Sequence, residues 1–133
     1  MAGTKIQMTA AKHLTLSQIC QRLNQLNTAS DVERVAHLEH SLGDVQSVLL
    51  VYERYYTRVS SYASLTILLT EHGQTQTADL ISSGGGDGYL NLSLGANRSF
   101  AKEYAKALEE CGFTTHKDDT PKGFFKKLEH LLE

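Results

Sequence analysis

The chain has 133 residues, of which 41% are hydrophobic and 21% charged, and its formal net charge is −2. That balance fits one globular domain and argues against intrinsic disorder; a chain of this length buries about two-thirds of its unfolded surface without staples. The near-neutral charge gives no electrostatic footprint for nucleic acid, and no apolar run is long enough to span a membrane.

Residues 1–8 lack the apolar stretch of a secretory signal, which favours a cytoplasmic setting. Ile6 and Met8 alternate with polar neighbours and predict an opening strand. Thr15 then reads as a helix cap, followed by Leu16, Ile19, Leu23 and Leu26 at the spacing of one buried helix face, with Asn27 and Thr28 as the end. Residues 32–40 fit either period; the turn-like Leu42-Gly43-Asp44 that follows favours a strand.

Residues 45–58 form the longest strand candidate, and the unbroken run from Val48 to Tyr52 predicts burial on both faces. Three alternating segments follow, over 62–70, 75–82 and 89–94. Their apolar faces are Ala63, Leu65, Ile67 and Leu69, then Ala78 and Leu80, then Leu90, Leu92 and Leu94. Glu71-His72-Gly73-Gln74 reads as a hairpin turn. Ser99 is the expected cap of a helix with Phe100, Tyr104, Leu108 and Cys111 on its buried side and Gly112 at its end. A polar link over 114–119 leads to Thr120-Pro121, a cap and first-turn pair, and a last amphipathic helix bearing Phe124, Phe125, Leu128, Leu131 and Leu132.

The expected fold class is therefore α+β: an antiparallel sheet of about five strands with helices packed on one face, in the order β-α-β4(5)-α-α. Residues 1–113 make the domain. Residues 114–133 make a linker and a helix that packs on the domain or on a subunit. The order resembles the saddle of TATA-binding-protein domains and the helix-grip ligand carriers, a likeness of fold only.

The glycine run Ser83-Gly84-Gly85-Gly86-Asp87-Gly88 is the most conspicuous motif. A phosphate-binding loop needs Lys-Ser/Thr after its glycines and a helix directly behind them. Here Tyr89-Leu90-Asn91-Leu92 follows, which reads as a strand, so the run is expected to join two strands. Residues 52–56, Tyr52-Glu53-Arg54-Tyr55-Tyr56, gather tyrosines around two charges. On a strand, Tyr52, Arg54 and Tyr56 share one face, while Glu53 and Tyr55 share the other. Either the tyrosines cover the sheet and Glu53 pairs with Arg54 across strands, or Tyr and Arg form a binding surface.

His37, Glu39 and His40 are close in sequence, but on a strand the two histidines point apart, so no metal site is expected. No G-x-S-x-G elbow occurs, and Cys20 and Cys111 fall on apolar helix stripes, as buried reduced thiols do.

Leu42-Gly43-Asp44-Val45, Val51-Tyr52-Glu53-Arg54-Tyr55 and Ile81-Ser82-Ser83-Gly84-Gly85 together resemble an uncharacterised family of small bacterial domains of unknown function, over residues 30–112. The resemblance implies strands around Tyr52 and Ser82 and a bacterial cytoplasmic origin. It implies no catalytic residue, and it leaves the stretch after Phe113 as an addition.

The function expected is a non-enzymatic binding or interaction domain, a homodimer or other homo-oligomer joined through the sheet or the C-terminal helix. A carrier of a small apolar ligand held between sheet and helices is the alternative, and an enzyme using Glu53 a third. The candidate ligand or partner residues are Tyr52, Glu53, Arg54, Tyr55, Tyr56, Ser83, Gly84, Gly85 and Asp87. No catalytic residue, cofactor, metal or nucleic-acid partner is expected.

Overall fold

The structure, a computed structural model, describes residues 3–57, 60–84 and 90–119. In chain order its elements are β1 (Thr4–Ala11), α1 (Leu16–Ser30), β2 (Glu33–Leu42), β3 (Val45–Tyr56), β4 (Ser61–His72), β5 (Thr75–Gly84), α2 (Leu90–Glu110) and β6 (Thr114–Asp118). The strands form one sheet in the order β2-β3-β4-β5-β1-β6, with every neighbouring pair antiparallel. The α+β class with helices on one face holds; the sheet has six strands where about five were expected.

Local chemistry explains most of the boundaries. Thr15 begins α1 with a capping box: its Oγ1 accepts from the Gln18 backbone N–H at 3.1 Å, and Gln18 Oε1 accepts from the Thr15 N–H at 2.9 Å. The helix runs past Thr28 to Ser30 and stops at Asp31, a left-handed residue with φ 56°. The β2–β3 and β4–β5 hairpins turn on Gly43-Asp44 and Gly73-Gln74, where the glycines have φ 59° and 60° and the second residue does not. That is the pattern of a type II′ turn, whose twist matches the flanking strands.

Two expectations are corrected. Residues 90–94 do not supply a strand: α2 starts at Leu90, so the segment after Gly84 leads from β5 to a helix rather than to another strand, and Ser99 lies inside that helix rather than capping it. The buried stripe of Phe100, Ala101, Tyr104 and Leu108 continues upstream through Asn97 and Ala96, so the helical period outweighs the three alternating leucines. Residues 114–118, expected as linker, form β6 and pair with β1. The expected C-terminal helix beginning at Thr120-Pro121 lies outside the described residues, as do Gly85 and Asp87.

The core lies between the sheet and the two helices. Ile6 and Met8 of β1, Val48, Leu50 and Tyr52 of β3, Ala63 to Leu69 at alternate positions of β4, and Ala78 and Leu80 of β5 are buried against Ile19, Leu23, Phe100 and Tyr104. Each large apolar side chain sealed this way contributes about 2 kcal/mol relative to leaving it in water. On the run from Val48 to Tyr52 burial alternates: Val48, Leu50 and Tyr52 face the helices, while Leu49 and Val51 are half-buried on the opposite face. No helix among the described residues is long and apolar enough to cross a membrane.

Candidate binding face

The pleat of β3 separates the tyrosine-rich segment into two groups. Tyr52 is fully buried, and its hydroxyl donates to Asn24 Oδ1 of α1 at 2.9 Å. Burial pushes its pKa up, so the phenol stays a neutral donor. Arg54 turns to the same side and meets Glu103 of α2 at 3.0 Å, its guanidinium 5.1 Å from the Tyr56 ring. Tyr56 is buried, with its ring 6.2 Å from that of Phe100. These three candidate residues fasten β3 to the helices. The pairing expected between Arg54 and Glu53 is replaced by Arg54 with Glu103, because Glu53 lies across the sheet from it.

Glu53, Tyr55 and Ser83 occupy the other face, which no described helix covers. The register aligns Glu53 with Ser64 and Ser64 with Ser83, in one row across three strands. The Ser64 hydroxyl lies 3.3 Å from the Ser83 hydroxyl and 3.4 Å from the Ser83 carbonyl oxygen. Beyond this row Tyr55 and Tyr62 pair across β3 and β4, ring centroids 5.2 Å apart and edge to face, both about half exposed. Gly84 ends β5 with φ 97°, and a Cβ there would stand 2.9 Å from the Tyr62 carbonyl oxygen, so only glycine fits.

The row on the other side of Val51 was not singled out by sequence reasoning. Leu38, Leu49 and Leu68 are cross-strand partners on β2, β3 and β4, and Ile81 of β5 sits diagonally beside Leu68. Leu38 is 53% exposed, Ile81 45% and Leu68 37%. The row turns polar past β4, where Asp79 accepts a hydrogen bond from Gln7 at 3.1 Å. The signal available in the sequence was the unbroken apolar run in β3, since one face of an antiparallel strand suffices to fill the core. Exposed apolar side chains in contiguous rows are what a binding surface needs, because water leaves them readily.

A cleft of about 600 Å³ opens at the other end of the molecule, between the first turn of α1 and the helix-side face of the β2–β3 hairpin. Lys12, Thr15, Ser17, Glu39, Ser41 and Glu71 line it. Glu71 is nearly buried and fully engaged: Lys12 Nζ lies 3.2 Å from Oε2, and Gln76 Nε2 donates to Oε1 at 2.8 Å. Gln76 also donates to the Leu14 carbonyl oxygen at 2.8 Å, so the pair serves to hold the chain entering α1.

The histidines are spread apart. His37 accepts from Arg34 at Nδ1 (3.3 Å) and donates from Nε2 to Glu39 Oε1 (3.1 Å), which is satisfied by the tautomer with its proton on Nε2. His72 Nε2 donates to Asp44 Oδ2 at 2.8 Å across the hairpin ends and holds that carboxyl below its usual range. Among the described residues no three His, Cys, Asp or Glu side chains converge as a metal site would require. Cys20 and Cys111 are buried free thiols; burial pushes the Cys20 thiol up to about 11 and Cys111 in the same direction.

The sequence of residues 1–112 matches the model of DUF6054, a family of unknown function. The chain belongs to that family. No curated protein matches it. The DUF6054 region spans β1 to α2 and stops before β6, so the last strand of the sheet lies beyond the matched residues.

Proposed function

We propose that this DUF6054 chain is a non-enzymatic binding domain, a homo-oligomer joined through its sheet, whose uncovered face takes an apolar partner surface. The observation that carries this reading is the cross-strand row of Leu38, Leu49 and Leu68 with Ile81 beside it, apolar and partly exposed on a face that no described helix covers. The Tyr55–Tyr62 pair at one end supplies rigid aromatic area of the kind that anchors protein contacts. A cytoplasmic setting belongs to the same reading, since two buried free thiols suit a reducing compartment.

A small-ligand carrier is the second reading, favoured by the cleft at the start of α1. The cleft mixes Lys12, Ser17, Glu39 and Ser41 with Leu16 and Val48, a lining that suits a small ligand with both polar and apolar parts. Native mass spectrometry of the protein purified from its own cells separates the two. The binding-domain reading expects a homo-oligomer with no stoichiometric small molecule. A monomer that retains one small molecule per chain would replace it with the carrier.

A further inference from the structure

The two edges of the sheet are built differently. β6 is short, its register with β1 shifts at Gln7/Met8, and it carries Lys117. Those are the devices by which edge strands avoid pairing with other chains. β2 is twice as long, with 10 residues against 5, and none of its side chains is buried. Its one irregularity, between Arg34 and Ala36, leaves 36–42 in regular register with β3. Along that stretch the backbone groups on the outer side meet no described strand, and Leu38 and Leu42 stand exposed there on either side of the exposed Glu39.

We propose that β2 is a homodimer edge: it pairs antiparallel with the β2 of a second copy about a two-fold axis at Leu38, joining two sheets into one of twelve strands. The inference rests on the self-association read above and supplies its geometry. The side-chain pattern selects the register. Directly opposed residues in an antiparallel pair share a face. Ala36, Leu38 and His40 lie on the open face and His37 and Glu39 on the helix side, as their β3 partners do.

With the axis at Leu38, Leu38 meets its own copy, Ala36 meets His40, and each His37 meets the other chain's Glu39. Each chain's own His37–Glu39 pair, 3.1 Å apart, then lies against the copy of that pair, so that imidazole and carboxylate alternate around the axis. Moving the axis by one residue to Glu39 would oppose two carboxylates, and moving it to His37 would oppose two imidazoles; like groups in such positions are unfavourable. A second copy thus covers Leu38 and satisfies the free backbone edge. It also doubles the open apolar face, since the Leu68–Leu49–Leu38 row continues into its mirror row on the partner.

The test is disulfide trapping with sedimentation. Opposed residues in an antiparallel pair have Cα atoms roughly 4.5–5.5 Å apart, within disulfide reach. Leu38→Cys is therefore expected to form a covalent dimer on oxidation with copper phenanthroline. Leu42→Cys, four residues from the axis and roughly 26 Å from its copy at 3.3 Å per residue, is not. His37→Glu should weaken the dimer roughly tenfold or more, and His37→Glu combined with Glu39→His should restore it. Circular dichroism verifies that each variant is folded.

A dimer that neither traps through Leu38→Cys nor responds to His37→Glu overturns this geometry while leaving self-association standing. A wild-type protein that stays monomeric at every concentration overturns both.

Discussion

Along one stretch of β3, neighbouring residues serve opposite purposes. Tyr52, Arg54 and Tyr56 reach into the helix layer, where Asn24, Glu103 and Phe100 receive them. Glu53 and Tyr55 lie on the face that no described helix covers, beside Ser64 and Tyr62. The difference shows how a motif that reads as a single site is divided by a pleat of period two. The helix-side group is bound to the fold by its contacts with the helices, and the outer group makes no contact with a described helix.

The comparison can be broken most severely on β4, where the two faces adjoin. Ile67 is sealed and its neighbour Leu68 is 37% exposed. Ile67→Ala should destabilise the fold by about 3 kcal/mol through lost burial and a residual cavity. Leu68→Ala should cost under ~1 kcal/mol. Urea denaturation of the two variants measures the gap. Equal losses would mean the outer face is as structural as the inner.

A smaller contrast lies within β3. Arg54→Ala removes a half-exposed ion pair to Glu103 and the contact with Tyr56, and should cost about 1–2 kcal/mol. Glu53→Ala should stay within ~0.5 kcal/mol of wild type by the same measurement.

The smallest expected signal is chemical. With Cys20 raised to about 11, roughly one thiol in a thousand is ionised at pH 8, and burial shields it further. Cys111 is raised too. The sign is that of a group whose charged form is disfavoured by folding, so protection persists through pH 8 and fails only as pH approaches the raised value. Native protein should react with a thiol reagent at pH 8 far more slowly than denatured protein. Rapid reaction of either cysteine would mean the helix layer opens readily.

The outer and inner groups of β3 were legible as groups from alternation alone, and so were α1, the hairpin turns and the inner face of β4. Which β3 group faced the helices was not legible. That choice depends on Glu103, 49 positions away, and on α2, whose start was misplaced. Leu90, Leu92 and Leu94 satisfy a strand period, while Ala96 and Asn97, which carry the helical stripe upstream of Phe100, are too small or polar to register as core. β6 was invisible for another reason: Thr114 to Lys117 are all exposed, and the strand is bound to β1 through backbone pairing with no apolar alternation to announce it. The apolar rows of the open face were partly legible in the run at Val48 to Tyr52, but exposure of Leu38, Leu68 and Ile81 needed the register.

Sedimentation equilibrium across a wide concentration range, on the wild type and on Leu38→Lys, bears most directly on whether this chain associates through its sheet. The prediction is a wild-type homo-oligomer and a folded, monomeric Leu38→Lys variant. A wild type that remains monomeric at the highest concentration, or a Leu38→Lys variant that associates as tightly as wild type, would contradict it.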